Sequence, residues 1–231
     1  MIVIESRMKR VGSNQKPQLL DNESCDFVFD FDQFGTTMPS AEQWLHTTKD
    51  IGLDKDTEIH IVEAGDVFCG PRLAFMLRST GFQQCQSESI FVAPDTLGFN
   101  GFVGKETVLA AMHASNQIID VRSVARFSGE EDDPRPHVSV GHIPGSINLH
   151  YQTLINPESP RNLRDLTELA SLFSVQNVDL TQPIIFSCGS GITACIGALA
   201  ALALGANDVR VYDGSWSEWG ADPSLPKAKK Q

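Results

Sequence analysis

Short runs of apolar residues alternate along this chain with longer segments in which apolar residues recur every three or four positions. The short runs predict buried strands and the longer segments predict helices. Their alternation is typical of an α/β fold built around a mainly parallel sheet. In the first half the pattern predicts strands at QLLD, DFVFDF, EIHIVEAG and SIFVAP, and helices from Ser40 toward Gly52 and over GPRLAFMLRSTG.

The second half repeats this order of elements. It predicts helices at KETVLAAMHASN, LRDLTELASLF and ITACIGALAALALG, and strands at QIIDVR, PIIFS and DVRVYDG. Between the halves, PDTLGFNGFVG is rich in Gly, Pro and Asn and predicts a connection. A repeated order of strand, loop, helix, glycine and strand indicates a tandem duplication. We therefore expect two α/β domains, at residues 1–98 and 99–231.

Composition and charge narrow the classes of partner. The formal net charge of -11 at pH 7 argues against a nucleic-acid partner, which needs a clustered basic surface. The apolar runs are too short for a membrane span, so we expect no membrane partner and a cytoplasmic location. Five cysteines without C-x-x-C spacing predict neither a disulfide framework nor a metal site, and suit a reducing compartment.

The loop SCGSGITAC combines features that favour an anion. Cys188 ends a predicted buried strand, and Gly189 and Gly191 let the backbone curl so that successive N–H groups converge. The next helix is predicted to begin near Thr193, which brings its positive end to the same point. Such surroundings favour a nucleophilic thiolate, and would equally stabilise a persulfide anion.

Cysteine phosphatases also use a strand, a loop and a helix to hold an anion. Their loop needs an arginine six places after the cysteine, and Ala194 stands there in this chain. The loop carries no cation of its own, which argues against phosphate and sulfate-like ligands. It suits a substrate whose charge lies farther from the sulfur.

The segment Cys188–Thr193 resembles the active loop of the 3-mercaptopyruvate sulfurtransferases, which belong to the rhodanese superfamily. Thiosulfate sulfurtransferases are similar in frame but carry Arg and Lys where this chain has Gly189 and Ser190. Further similarity lies in IIDVRSVARFSG, in DPR before GHIPGSIN, and in VYDGSWSEWG, over residues 103–223. The resemblance implies two tandem rhodanese-like domains, of which the second is catalytic.

The resemblance also implies roles for particular residues. Arg126 and Arg135 would hold the carboxylate and ketone of the substrate, since a guanidinium binds a carboxylate through two hydrogen bonds. The alternative for either arginine is a solvated charge, or a structural pair with Asp132 or Asp133. Ser190 would contact the reacting group, or else satisfy the turn. The remaining residues of the implied substrate site are Gly189, Gly191, Ile192 and Thr193.

Other residues in the matching motifs are interpreted as structural. Cys195 is predicted to pack in the core. The residues predicted to support the frame are Asp120, His142, Asp213, Trp216 and Trp219.

Residues 18–92 resemble the first domain of the same family more weakly, with a long segment missing. Glu63 stands where the nucleophile would be, so this reduced domain is predicted to be non-catalytic, and Cys69 is not expected to replace it. Asp32 matches the aspartate of a proposed Ser/His/Asp relay, a possible contribution of the first domain. Thr37 stands where the histidine of that relay is expected. Either another base serves, or the loop ionises the thiol sufficiently, or turnover is slow.

The resemblance implies an enzyme that moves the sulfur of 3-mercaptopyruvate, through a persulfide on Cys188, to a thiol such as that of thioredoxin or to cyanide. Pyruvate is released, and neither a metal nor an organic cofactor is required. One alternative is thiosulfate as the donor. Another is a persulfide carrier or binding module in which the reduced first domain serves protein recognition.

Overall fold

The structure is a computed structural model of the 231-residue chain. It divides into two compact units, Met1–Asp95 and Thr96–Gln231. The predicted strands QLLD and SIFVAP lie outside the described residues. The residues that the structure describes are 1–8, 25–65, 68–82, 84–87, 99–114 and 116–229.

The described part of the first unit is a parallel sheet with helices. Its strands run in the order β2-β1-β3-β4, and every neighbouring pair is parallel. The strands are β1 (Ile2–Met8), β2 (Phe27–Asp30), β3 (Ile59–Gly65) and β4 (Cys85–Ser87). The helices are α1 (Phe31–Phe34), α2 (Ala41–Asp50) and α3 (Gly70–Ser79).

Local signals explain the predicted helices of this unit. The hydroxyl of Ser40 accepts a hydrogen bond from the N–H of Gln43, and the Gln43 side chain accepts one from the N–H of Ser40. This reciprocal capping box starts α2 where the sequence predicts it. Pro71 lies in the first turn of α3, where its missing N–H costs nothing.

β1 is an interior strand of the first sheet that the apolar pattern does not predict. It pairs with both β2 and β3, and Ile2 lies opposite Ile59. Glu5 and Ser6 are nevertheless buried within it. A charged residue in the run breaks the apolar signal that identifies buried parallel strands, which is why the pattern misses β1.

The second unit is built around a larger parallel sheet with the order β5-β11-β10-β6-β7, beside a two-stranded antiparallel sheet of β8 and β9. Its strands are β5 (Phe99–Val103), β6 (Gln117–Asp120), β7 (Ile147–Asn148), β8 (Ile155–Asn156), β9 (Ser159–Leu163), β10 (Ile184–Ser187) and β11 (Val209–Tyr212). Its helices are α4 (Lys105–Ala111), α5 (Val124–Ser128), α6 (Tyr151–Leu154), α7 (Leu166–Val175), α8 (Ala194–Ala203) and α9 (Ser215–Trp219).

Six of these elements are those that the sequence predicts, namely α4, β6, α7, β10, α8 and β11. The prediction of PDTLGFNGFVG as a connection is wrong at its end, because Phe99–Val103 forms β5 at the edge of the sheet. Its pairing with β11 shifts register, and Gly101 has φ +87°. An edge strand with such an irregularity accommodates glycine, so glycine content alone does not exclude a strand.

β10 and α8 form the buried centre of the second unit. All four residues of β10 are buried, as are the first nine residues of α8. At Gly197 an ideal Cβ would lie 2.7 Å from Phe186 Cδ1 and 2.9 Å from Val121 Cγ1, so glycine permits this close approach of helix and sheet. No helix in the described part of the chain is long and apolar enough to cross a membrane.

The strand order creates a crevice at one edge of this sheet. The chain passes from β6 to its neighbour β7 on one side, and from β10 to its neighbour β11 on the other. Ligands of open parallel sheets bind at such a switch point, outside the carboxyl ends of the strands. The residues that follow β6 and β10 are therefore the ones positioned to meet a ligand.

We expect Gly197→Ala to lower the free energy of unfolding by about 1–3 kcal/mol, since the added methyl group overpacks the contact with Phe186. Urea unfolding measures the effect. Ser174→Ala on the exposed face of α7 is the control and should change stability by less than about 0.5 kcal/mol. Alanine favours helices over glycine, so a variant as stable as the parent chain would show that this contact is not tight.

Candidate active site

Cys188 follows β10 directly, at the carboxyl edge of the sheet, and is 1% exposed. The segment that enters α9 holds its backbone. The N–H of Trp216 donates to the carbonyl of Cys188 at 3.0 Å, and the N–H of Ser217 donates to the carbonyl of Gly189 at 2.9 Å. These two hydrogen bonds hold the backbone of Cys188 and Gly189 against α9.

Ser215 completes this attachment and was not identified from the sequence. Its hydroxyl accepts a hydrogen bond from the N–H of Cys188 at 3.1 Å and donates one to the carbonyl of Tyr212 at 2.9 Å. The residue is fully buried and has φ +48°, a left-handed conformation that is rare for serine. Ser215 lies in the segment VYDGSWSEWG, but no local feature of the sequence predicts a left-handed conformation for this serine.

The loop after Cys188 exposes a run of backbone donors. Residues 189–193 donate no backbone hydrogen bond to any other residue that the structure describes. Ser190, Gly191 and Ile192 are buried, and Gly191 has φ +80°, which favours glycine. α8 begins at Ala194, one residue after the predicted start, so its positive end adds to these donors. Buried donors without partners indicate a place for an anionic ligand.

Two guanidinium groups reach the same loop from the other side of the crevice. Arg126 lies in α5, just after β6, and Arg135 lies in the long polar loop beyond it. An ideal Cβ on Gly189 would lie 3.4 Å from Arg135 Nη1 and 3.6 Å from Arg126 Nη2. No side chain of the loop itself is charged, but two cationic side chains lie next to it.

Asp133 links the two arginines. Its side chain is 1% exposed, and its Oδ2 accepts a hydrogen bond from Arg126 Nη2. Its Oδ1 accepts from Arg135 Nη1 at 3.2 Å and from the Arg135 backbone N–H at 3.0 Å. Of the two aspartates considered from the sequence, Asp133 makes the pair, and this pairing leaves both arginines beside Gly189. The buried Nε of Arg126 has no hydrogen-bond partner among the described residues.

The structure thus brings together Cys188, Gly189, Ser190, Gly191, Ile192 and Thr193 with Arg126 and Arg135. Asp32 lies in the first unit, in α1, where its N–H donates to Asp30 Oδ1 at 3.0 Å.

A buried ion pair supports the crevice from below. Arg122 Nη2 donates to Asp120 Oδ2 at 2.6 Å and to the carbonyl of Gly141 at 2.8 Å. The guanidinium carbon lies 4.5 Å from the centroid of a Trp216 ring. Asn148 Nδ2 donates to the carbonyls of both Asp120 and Arg122. β6 and α9 therefore meet at the charge pair, and β7 is bound to the backbone of the same two residues.

The other predicted frame residues make structural contacts. His142 stacks on Phe127 with ring centroids 3.9 Å apart, and its Nδ1 bonds to the Phe127 carbonyl. Trp219 Nε1 donates to the carbonyl of Pro226 at 2.8 Å. The N–H of Asp213 donates to the carbonyl of Val103 at 3.0 Å.

The side chain of Tyr212, the last residue of β11, is bonded to α9. Its hydroxyl donates to Glu218 Oε2 at 2.7 Å. Burial, and then this hydrogen bond, raise the pKa of Tyr212 far above its usual range, so the hydroxyl stays protonated and the bond persists at high pH.

Other cysteines lie in environments unlike that of Cys188. Cys195 is fully buried in α8 and its Sγ contacts the carbonyl of Gly191 at 3.5 Å. Cys69 is fully buried, with its Sγ 3.1 Å from Ser6 Oγ. Burial raises the pKa of the Cys85 thiol to about 12, which leaves it protonated at neutral pH.

Glu63, the residue that the sequence predicts at the position of the nucleophile in the first unit, contacts the start of α3. Glu63 is 3% exposed in β3, and its Oε1 accepts a hydrogen bond from the N–H of Gly70 at the start of α3. This bond satisfies one of the backbone N–H groups at the start of α3 from within the unit.

Known proteins share this architecture. Residues 105–222 match the rhodanese-like domain family. The chain is 33% identical over 211 residues to 3-mercaptopyruvate sulfurtransferase of Escherichia coli strain K12, covering 82% of this chain and 74% of the relative. It is 30% identical over 207 residues to thiosulfate sulfurtransferase of Mus musculus, covering 79% and 69% respectively. The crystal structure of SseA from Escherichia coli superposes with a TM-score of 0.73 at 26% identity, covering 93% of this chain and 92% of that one.

A parallel sheet with a cysteine loop at its carboxyl edge, in a segment that matches this family, defines a rhodanese-like domain. The chain as a whole belongs to the rhodanese superfamily, in the family of the 3-mercaptopyruvate sulfurtransferases, and is a rhodanese-type sulfurtransferase.

Replacing Ser215 tests the attachment of the catalytic loop. Ser215→Ala leaves the buried N–H of Cys188 without its acceptor, so we expect the free energy of unfolding to fall by about 1–3 kcal/mol in urea unfolding. The matched control is Ser217→Ala, which should cost less than about 1 kcal/mol because the Ser217 hydroxyl bonds to the carbonyl of Gly214 alone among the described residues. Equal losses in the two variants would contradict a special role for Ser215.

Proposed function

We propose that the second unit takes the sulfur of 3-mercaptopyruvate onto Cys188 as a persulfide, releases pyruvate, and passes the sulfur to an acceptor. The observation that carries this proposal is the run of backbone N–H groups of residues 189–193 that bond to no other described residue, next to a cysteine and two guanidinium groups. A relative named for 3-mercaptopyruvate supports the donor.

The first half-reaction follows from the chemistry of a thiolate at this place. The Cys188 thiolate attacks the substrate sulfur, a sulfur–sulfur bond forms, and the carbon–sulfur bond breaks with its electron pair going to carbon as the enolate of pyruvate. The proton of the substrate thiol balances the step, because the persulfide ionises and the enolate gains one proton to become pyruvate. The N–H groups of the loop stabilise the negative charge throughout.

Positioning of the substrate falls to the opposite side of the crevice. Arg126 and Arg135 present guanidinium donors beside Gly189, and the free Nε of Arg126 needs an acceptor. A carboxylate next to a ketone offers such acceptors in one plane. The hydroxyl of Ser190 is assigned to the reacting carbonyl group, and the backbone of Gly189, Gly191, Ile192 and Thr193 lines the site.

In the second half-reaction an acceptor thiolate, such as that of thioredoxin, or cyanide attacks the outer sulfur and restores the Cys188 thiolate. No step requires a metal or an organic cofactor. The five free cysteines suit a reducing compartment, and the cytoplasm is the location that we propose.

The first unit, with residues 1–98 as its proposed extent, is assigned no persulfide of its own, because we align Glu63 with the nucleophile of the second unit. We regard the two units as a tandem pair of the same fold. Asp32 remains the proposed contribution of the first unit to the relay, and Thr37 stands at the position of the missing histidine.

Thiosulfate is the second donor considered, since a relative at 30% identity is named for it. The loop after Cys188 has no cationic side chain of its own, and the two guanidinium groups reach it from the opposite side of the crevice. This arrangement favours the keto acid over thiosulfate, whose charge lies close to the transferred sulfur. A persulfide carrier with little turnover is the non-enzymatic alternative, and single-turnover loading without steady-state pyruvate release would identify it.

Cys188→Ser should abolish sulfur loading from 3-mercaptopyruvate, because among the residues that the structure describes the open N–H groups lie beside Cys188. Intact mass after mixing with 3-mercaptopyruvate measures sulfur loading, and an assay of pyruvate release measures the cleavage of this donor. Cys69→Ser and Cys195→Ser are the matched controls and should load one sulfur atom as the parent chain does. Loading that survives in Cys188→Ser would overturn the assignment.

Arg126→Gln and Arg135→Gln should each raise KM for 3-mercaptopyruvate about tenfold to a hundredfold, since each removes a charge-assisted hydrogen bond worth about 1.5–3 kcal/mol. Steady-state pyruvate release measures this. Arg164→Gln, which loses an exposed pair with Glu168 and a hydrogen bond to the carbonyl of Thr153, lies outside the proposed site and should keep the parent KM. Unchanged kinetics in both loop variants would mean that the carboxylate binds elsewhere.

A further inference from the structure

Because Asp133 pairs with both Arg126 and Arg135, it helps to set the charge that the site can accept from a substrate. We propose that Asp133 is a specificity-determining residue, which sets the charge of the anion site so that a monoanionic sulfur donor is preferred over a dianionic one. This inference rests on the proposed function, since it concerns the choice of donor at the same site.

Burial gives Asp133 this influence. Its side chain is 1% exposed, whereas those of Arg126 and Arg135 are 20% and 22% exposed. Two guanidinium groups and one carboxylate leave the cluster with a formal charge of +1. Charges that solvent does not screen act strongly at these separations.

Other charged residues near Arg126, Arg135 and Asp133 influence the charge of this cluster less than Asp133 does. Glu130, Glu131 and Asp132 lie on the same loop but are exposed, so solvent screens them. The buried pair of Asp120 and Arg122 is neutral as a unit. The N–H groups of the active loop carry no net charge.

The cluster therefore matches a single negative charge. 3-Mercaptopyruvate brings one carboxylate, and its charge would neutralise the cluster. Thiosulfate brings two negative charges, and binding it would leave a surplus of one in a partly desolvated crevice. Removing the charge of Asp133 raises the cluster to +2 and should favour the dianion.

Asp133 also orients both arginines, and a loss of orientation must be distinguished from a change of charge. Asn keeps the size of the side chain and one carbonyl oxygen that can accept from Arg135. If Arg126 and Arg135 lost their orientation, kcat/KM would fall for 3-mercaptopyruvate and for thiosulfate alike. A change of charge alters the ratio of the two kcat/KM values, so this ratio separates the two effects.

The experiment measures kcat/KM for 3-mercaptopyruvate and for thiosulfate in the full chain. Asp133→Asn should raise the ratio of thiosulfate to 3-mercaptopyruvate by about tenfold or more, and added salt should reduce this gain. Asp133→Glu, which keeps the charge, should leave the ratio within about twofold. The matched control is Asp132→Asn, which removes the same charge from an exposed neighbour and should also change the ratio by less than about twofold.

A ratio that stays constant in Asp133→Asn, or that rises equally in Asp132→Asn, would overturn the inference while leaving the sulfurtransferase activity intact. If the parent chain used neither donor, the proposed function would fail by itself. The charge preference is then tested by calorimetric binding of pyruvate, a monoanion, and sulfate, a dianion, to Cys188→Ser with and without Asp133→Asn. A binding preference for sulfate over pyruvate that does not increase on removal of Asp133 would reject the inference there too.

Discussion

The ion pair between Asp120 and Arg122 is the interaction on which the crevice depends. Both side chains are almost fully buried, so each has lost its water and relies on the other. Replacing both by apolar residues could leave a stable core, but removing one would strand a buried charge. Because Arg122 also binds the carbonyl of Gly141 and lies against the ring of Trp216, the pair couples the strand before Arg126 to the helix that binds the backbone of Cys188.

This coupling explains how two distant segments of the sequence meet at one sulfur. One wall of the crevice follows β6 and supplies cations, and the other follows β10 and supplies backbone donors. The division separates two tasks. In the function that we propose, directional N–H groups stabilise charge on the transferred sulfur, while guanidinium groups hold the charge of a carboxylate that does not react. A substrate with its carboxylate away from its sulfur can use both at once.

The sequence predicts the parts of this fold that local chemistry determines. β10, the glycine loop and α8 follow from a continuous apolar run, two glycines and a second apolar run. β1 escapes prediction because Glu5 interrupts its pattern, and β5 escapes because Gly101 is typical of a loop. In both cases pairing with strands distant in the chain overrides the local signal.

The candidate site shows the same division between local and distant information. Cys188 and its loop can be predicted from spacing and glycine content, and the two arginines from the resemblance to a family. Ser215 cannot be predicted, since its role depends on a backbone N–H 27 positions away and on an unusual φ. Asp133 was considered as a partner of the arginines, but only the fold distinguishes it from Asp132.

Glu63 supplies the helix start of the first unit with an acceptor that is covalently part of the chain. Its effective concentration at the N–H of Gly70 is therefore fixed, and an ion from solution would have to displace it. The N–H groups of residues 189–193 have no such acceptor among the described residues. If these groups bind an anion as we propose, buffer anions and the products of the reaction compete with the substrate there, and we expect the N–H of Gly70 to be far less sensitive to the same ions.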